Sequence, residues 1–131
     1  MYLLDTNICI ALLKNNQNVV ESFTKNVEFC YLSSIVVAEL YKGVYCSQQV
    51  ARNLQALEQF VNLLPVLDFD RASALEFGKI QGELRRIGRP TGELDAIIVA
   101  VARSRQLILV TDNIKHFKNI ANLNVENWMI K

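Results

Sequence analysis

The opening stretch, MYLLDTNICIALL (residues 1–13), decides how the rest is read. Tyr2 to Leu4 is a short apolar run, Asp5-Thr6-Asn7 are residues that favour turns and helix N-caps, and Ile8 to Leu13 is apolar again. The order is strand, cap, helix. Outward from it, polar Lys14 to Asn18 leads to a second helical pattern near Val19 to Lys25, and Phe29 to Leu32 returns as a short strand. Ser33 and Ser34 offer caps for a helix from Ile35 to about Cys46. Gln48 to Leu64 carries Val50, Leu54, Leu57, Phe60, Val61 and Leu64 at close to helical spacing until Pro65 stops it.

The alternation continues to the end of the chain. Val66 to Phe69 reads as a third strand, Asp70 to Ile87 as a long helix, and Gly88-Arg89-Pro90-Thr91-Gly92 as a breaker loop. A new helix begins near Leu94, Leu107 to Val110 is a fourth strand, Ile114 to Phe117 a short helix, and Leu123 to Trp128 a candidate edge strand. Strands alternating with helices predict an α/β fold whose central parallel sheet is covered on both faces. With no repeat, linker or low-complexity segment, residues 1–131 are expected to form a single domain.

Composition sets limits on function. Hydrophobic residues at 51% and charged residues at 21% describe a chain able to fill a core without disulfides. Lys and Arg number 14 against 13 Asp and Glu, so no global basic field announces a nucleic-acid partner. Cys9, Cys30 and Cys46 are odd in number and unpaired by any CxxC spacing, as reduced thiols would be. The N-terminus lacks a basic leader pattern and no apolar run is long enough to span a bilayer. A cytoplasmic protein with no membrane partner is expected.

Four acids stand out by context. Asp5 and Asp112 each follow a strand, where a parallel sheet presents its carboxyl edge, the usual ligand crevice of such folds. Glu39 is the one charged residue in SSIVVAELY (33–41), and Asp95 opens the apolar helix LDAIIVAVA. Taken singly, Asp5, Asp95 and Asp112 read equally as helix caps or turn acids, and Glu39 as a partner of Lys42 or Lys25. Gathered at one site they would repel one another unless a cation neutralised them. All-oxygen ligation selects Mg²⁺, with Mn²⁺ as substitute, over zinc, and the single histidine, His116, makes no zinc site alone. Such an ion suits phosphodiester hydrolysis. Arg85, Arg86, Arg89 and Lys115, with Lys79, His116 and Lys118, could hold a phosphate backbone, or simply form a solvated face.

Four segments in order, LLDTNICI (3–10), SSIVVAELYKG (33–43), GRPTGELDAIIVAVA (88–102) and LILVTDN (107–113) with Phe117, resemble the motifs of PIN-domain ribonuclease toxins of the VapC type, and NLNVENW resembles the usual family ending. The resemblance runs end to end and implies a three-layer α/β/α PIN-like fold. It also implies that Asp5, Glu39 and Asp95 are catalytic carboxylates, with Asp5 and Asp95 on the metal. The family often places its fourth acid two residues after the last strand's Thr, which here is Asn113; Asp112 stands one earlier. Either Asp112 reaches the metal through water or Asn113 supplies a carbonyl oxygen. Thr6 and Thr111 would orient carboxylates and Asn7 would bond substrate or water, unless all three only cap. Glu93 adds charge at the rim or caps its helix.

The same resemblance implies a structured RNA substrate, tRNA above all, a cognate VapB-like antitoxin, and a homodimer to which Val44, Tyr45 and Leu57 could contribute unless they belong to the core. Two alternatives stay open: a non-catalytic PIN-like module that binds RNA or protein, and a structure-specific DNA nuclease.

Overall fold

A computed structural model describes residues 1–130. The end of the expected domain, Lys131, lies outside the described residues. Five strands, β1 (Tyr2–Leu4), β2 (Cys30–Ser33), β3 (Val66–Leu67), β4 (Ile108–Val110) and β5 (Val125–Glu126), form one sheet in the order β3-β2-β1-β4-β5. Every pairing is parallel; Tyr2 stands opposite both Cys30 and Ile108. Among the described residues seven α-helices flank the sheet: α1 (Thr6–Leu13), α2 (Gln17–Asn26), α3 (Ser34–Tyr45), α4 (Val50–Val61), α5 (Arg71–Arg86), α6 (Glu93–Ser104) and α7 (Ile114–Phe117). The expected α/β/α architecture is the one found.

β1 is central because it is apolar throughout, and Leu3 and Leu4 are fully buried. A strand covered on both faces needs this near-continuous apolar character. α6 behaves alike: Ala96 and Ile98 to Ala102 are all buried, so the helix lies between sheet and α5. α1, α3 and α4 cover the other side around Ile8, Val36, Leu40 and Leu57. Val44 and Leu57 lie in this core, whereas Tyr45 is exposed, so only Tyr45 of the three dimer candidates faces outward.

The expected elements are present, with shorter edges. The third strand keeps Val66–Leu67 instead of running to Phe69, because Phe69 leaves the ladder to pack edge-on against Phe77, ring centroids 6.4 Å apart. The C-terminal strand is Val125–Glu126, flanked by Trp128, which turns onto Tyr2. α4 spans Val50–Val61, narrower than 48–64, because the chain bends at Ser47 and Gln48 before it and turns at Asn62 and Leu63 after it.

α5 and α6 are antiparallel, with Ser73 near the start of one touching Ser104 at the end of the other, Oγ to Oγ 3.3 Å. Gly88 takes φ +64°, and the Gly88 and Arg89 amides donate to the carbonyls of Arg85 and Leu84, closing α5 with a left-handed turn. The chain therefore enters α6 at the same end of the molecule where Asp5 leaves β1.

Candidate active site

Asp5 sits where the sheet's centre meets its carboxyl edge. Its amide still extends the ladder, donating to the Val110 carbonyl at 2.9 Å, while its side chain caps α1 by accepting from the Thr6 amide at 2.8 Å. Its other oxygen accepts from the Thr111 hydroxyl at 2.9 Å. Thr111, fully buried just after β4, also accepts from Asn7 Nδ2 at 3.1 Å and from the Asn113 amide at 3.2 Å. Asp5 is thus the buried acid of the group, 6% exposed.

Two other carboxylates arrive from separate helices. Glu39, in the second turn of α3, accepts at Oε1 from the Thr6 hydroxyl at 2.7 Å. Asp95, in the first turn of α6, meets Nε2 of His116 through Oδ2 at 2.6 Å. Asp5, Glu39 and Asp95 line one pocket of about 240 Å³ together with Thr6, Asn7, Ile10, Asn113 and Phe117. No Lys or Arg is among the residues that line it.

This imbalance of charge has a direct consequence for Asp5. Burial raises its pKa above the ordinary carboxylate value, the hydrogen bonds from Thr6 and Thr111 pull it back, and the nearby charges of Asp95 and Glu39 raise it further. The pocket favours an additional positive charge. A larger cavity, about 850 Å³ and lined by Glu76, Lys79, Glu83 and Arg103, lies elsewhere in the molecule and holds none of these three acids.

Three carboxylates and the Asn113 amide offer only oxygen as ligand and no sulfur, which fits a hard divalent ion. As the side chains stand, no three acid, histidine or cysteine groups among the described residues converge tightly enough to hold a metal. Glu39 and Asp95 each engage one carboxylate oxygen with a partner in the protein, Thr6 and His116, and both side chains are partly exposed. Glu39 Oε2 and Asp95 Oδ1 have no hydrogen-bond donor among the described residues.

The remaining expected residues divide clearly. Asp112 is exposed and does not line the pocket, whereas Asn113 does, so of the two candidates for the fourth position it is Asn113 that borders the three acids. Asn7 has both ends of its amide engaged within the protein, donating to Thr111 and accepting from the Asp112 amide at 3.3 Å. It braces α1 against the segment after β4. Arg85, Arg86 and Arg89 are exposed at the end of α5, on the same side as the start of α6, and Lys115 is exposed on α7. None of the four lines the pocket.

His116 is the contact that motif spacing did not announce. It is separated from Asp95 by all of α6 and β4, and only the parallel sheet brings α7 back beside the start of α6.

The chain matches the PIN domain model over residues 2–123. It belongs to the PIN-domain family. Within that family its relatives are of the VapC type. The tRNA(fMet)-specific endonuclease VapC of Shigella flexneri is 44% identical over 128 residues, 97% of each chain. Ribonuclease VapC2 of Haemophilus influenzae is 40% identical over 129 residues, 98% of each. The DNA-bound VapBC complex of Salmonella typhimurium contains a chain that superposes with a TM-score of 0.92 at 39% identity, covering 97% of both. A DNA-bound VapBC2 complex from Rickettsia felis gives 0.92 at 35% identity, with 97% of this chain and 98% of that one covered. Among the described residues of this PIN-domain chain, no helix is long and apolar enough to cross a membrane.

Proposed function

We propose that this chain is the endoribonuclease toxin of a toxin–antitoxin pair, acting in the cytoplasm on structured RNA, with tRNA as the substrate class. One observation carries the reading: Asp5, Glu39 and Asp95, from the end of β1, from α3 and from α6, line one pocket free of Lys and Arg. Relatives named as a tRNA-specific endonuclease and as a ribonuclease support the activity, and VapBC complexes among similar structures support a VapB-like antitoxin.

Asp5 and Asp95 would hold Mg²⁺, or Mn²⁺ in its place, with Glu39 completing the negative ring and Asn113 offering a carbonyl oxygen. The bound ion would lower the pKa of a water molecule and offset charge on the scissile phosphate and leaving oxygen. The residues around it orient and align. Thr111 fixes Asp5 and Thr6 tethers Glu39, which limits the rotamers each acid visits. Ile10 and Phe117 give the pocket an apolar wall. Arg85, Arg86, Arg89 and Lys115 would steer the RNA backbone toward the pocket from outside it, and Asp112 would act at most through water. The protein would act as a homodimer, with Tyr45 exposed for the contact.

Purified protein freed of any partner should cut tRNA in Mg²⁺ or Mn²⁺, at positions mapped by sequencing RNA ends, and should stop in excess chelator. Equal cleavage with chelator would overturn the metal mechanism. Intact RNA binding with no cleavage in any divalent ion would favour the binding module, and preference for branched DNA over tRNA would favour the DNA nuclease.

A further inference from the structure

Each of the three pocket acids has a side-chain partner: the Thr111 hydroxyl donates to Asp5, which also accepts from the Thr6 amide, the Thr6 hydroxyl donates to Glu39, and His116 Nε2 lies 2.6 Å from Asp95 Oδ2. The first two donors lie directly beside motif acids in the chain or at the end of a motif strand. The third does not, and its contact at 2.6 Å is the shortest of the three. The His116 side chain is 42% exposed, and its ring packs edge-on, centroids 5.5 Å apart, against its chain neighbour Phe117, which is buried in the pocket wall.

Asp95 needs an ordering partner. It stands in the first turn of α6, directly after the Gly-bounded breaker loop, and its side chain is 34% exposed, so packing alone leaves its rotamer loosely defined. His116 meets Oδ2 and leaves Oδ1 without a protein partner, and Asp95 lines the pocket together with two other acids.

We infer that His116 is a positioning residue for Asp95: its Nε2–H holds one carboxylate oxygen so that the other is presented to a divalent ion. This rests on the metal-dependent reading above. A carboxylate held by an outer hydrogen bond has fewer arrangements to lose on binding an ion, and removal of such a partner costs about 10- to 100-fold in metal affinity. Glutamine places an amide N–H at about the reach of Nε2, so it should restore much of what alanine removes.

The decisive measurement is calorimetric titration of Mn²⁺ alone into the wild-type chain, His116→Ala and His116→Gln, above the ordinary titration range of imidazole, with melting curves to confirm folding. Expected are Mn²⁺ binding by wild type, about 10-fold or more weaker binding by the alanine variant, and recovery in the glutamine variant. Equal Mn²⁺ affinity in all three, with only the KM for RNA raised in His116→Ala, would overturn the inference and make His116 a backbone contact. Tighter binding in His116→Ala would overturn it in the opposite sense, as a competitor of the ion. Absence of Mn²⁺ binding in wild type would instead sink the metal reading on which it stands.

Discussion

Two clusters of carboxylates in this protein are treated in opposite ways. On one side of α6, Arg103 donates through Nε to Glu76 at 3.0 Å and through both terminal nitrogens to Glu83 at 3.1 and 2.8 Å, and also reaches the Ala121 carbonyl. The guanidinium is largely buried and the acids are matched by charge: the hydrogen bond from Arg103 holds Glu83 below its ordinary value, and the same bond raises Arg103. About 12 Å along the same helix, Asp95 joins Asp5 and Glu39 with hydroxyls and an imidazole as partners, and Asp5 is raised. Gathered acids with their own arginine fasten helices together. Gathered acids without one form, on the proposed reading, a site for an outside cation.

The contrast is sharpest where one member of each cluster is removed. Asp5→Asn keeps the side chain's shape but removes the charge at the pocket's centre, and RNA cleavage should fall by more than about 100-fold, measured as kcat/KM on tRNA. Arg103→Ala should leave that rate nearly unchanged below its melting point. It strands two partly buried acids, and we expect a stability loss of about 2 kcal/mol in urea unfolding, less than for a fully buried pair because water reaches both glutamates. A variant that lost activity and kept stability at Arg103 would reverse the assignment of roles.

Thr6→Val removes the hydroxyl from Glu39 while leaving the backbone amide that donates to the capping Asp5, and activity should drop about 10-fold with little change in melting temperature. The smallest effects concern pH and have opposite signs in the two regions. Asp5 is raised by folding, so its contribution is fully present below its unfolded pKa and is lost as pH rises through its folded value. Relative to Asp5→Asn, wild type should gain stability on acidification. Glu83 is lowered, so its contribution is present above its unfolded pKa and is lost as pH falls through its folded value. The deficit of Arg103→Ala should therefore shrink in acid. Melting temperatures across the carboxylate range check both signs.

Much of this arrangement can be read from local chemistry. The alternation of short apolar runs with capped helices suffices for a parallel sheet, because a βαβ unit imposes its period on the sequence. Asp5 and Glu39 are conspicuous because a charge beside or inside an apolar run needs a reason, and Asp95 because it follows a glycine break. What stays hidden is whatever depends on tertiary return. Nothing in the residues around His116 reveals that α7 comes back beside α6. That Asn113 and not Asp112 lines the pocket depends on one turn after β4, where the Asn113 amide bonds to Thr111 and Asp112 is exposed. Arg103, Glu76 and Glu83 look like ordinary surface charges in a helical pattern, since their pairing joins two helices that the chain alone does not align.

The central claim is that the uncompensated cluster, and not the compensated one, takes up a divalent ion. Calorimetric titration of Mn²⁺ into wild type, Asp5→Asn and Glu83→Gln tests it directly. The account predicts saturable binding in wild type, the same binding in Glu83→Gln, and its loss in Asp5→Asn; equal binding in wild type and Asp5→Asn would contradict it.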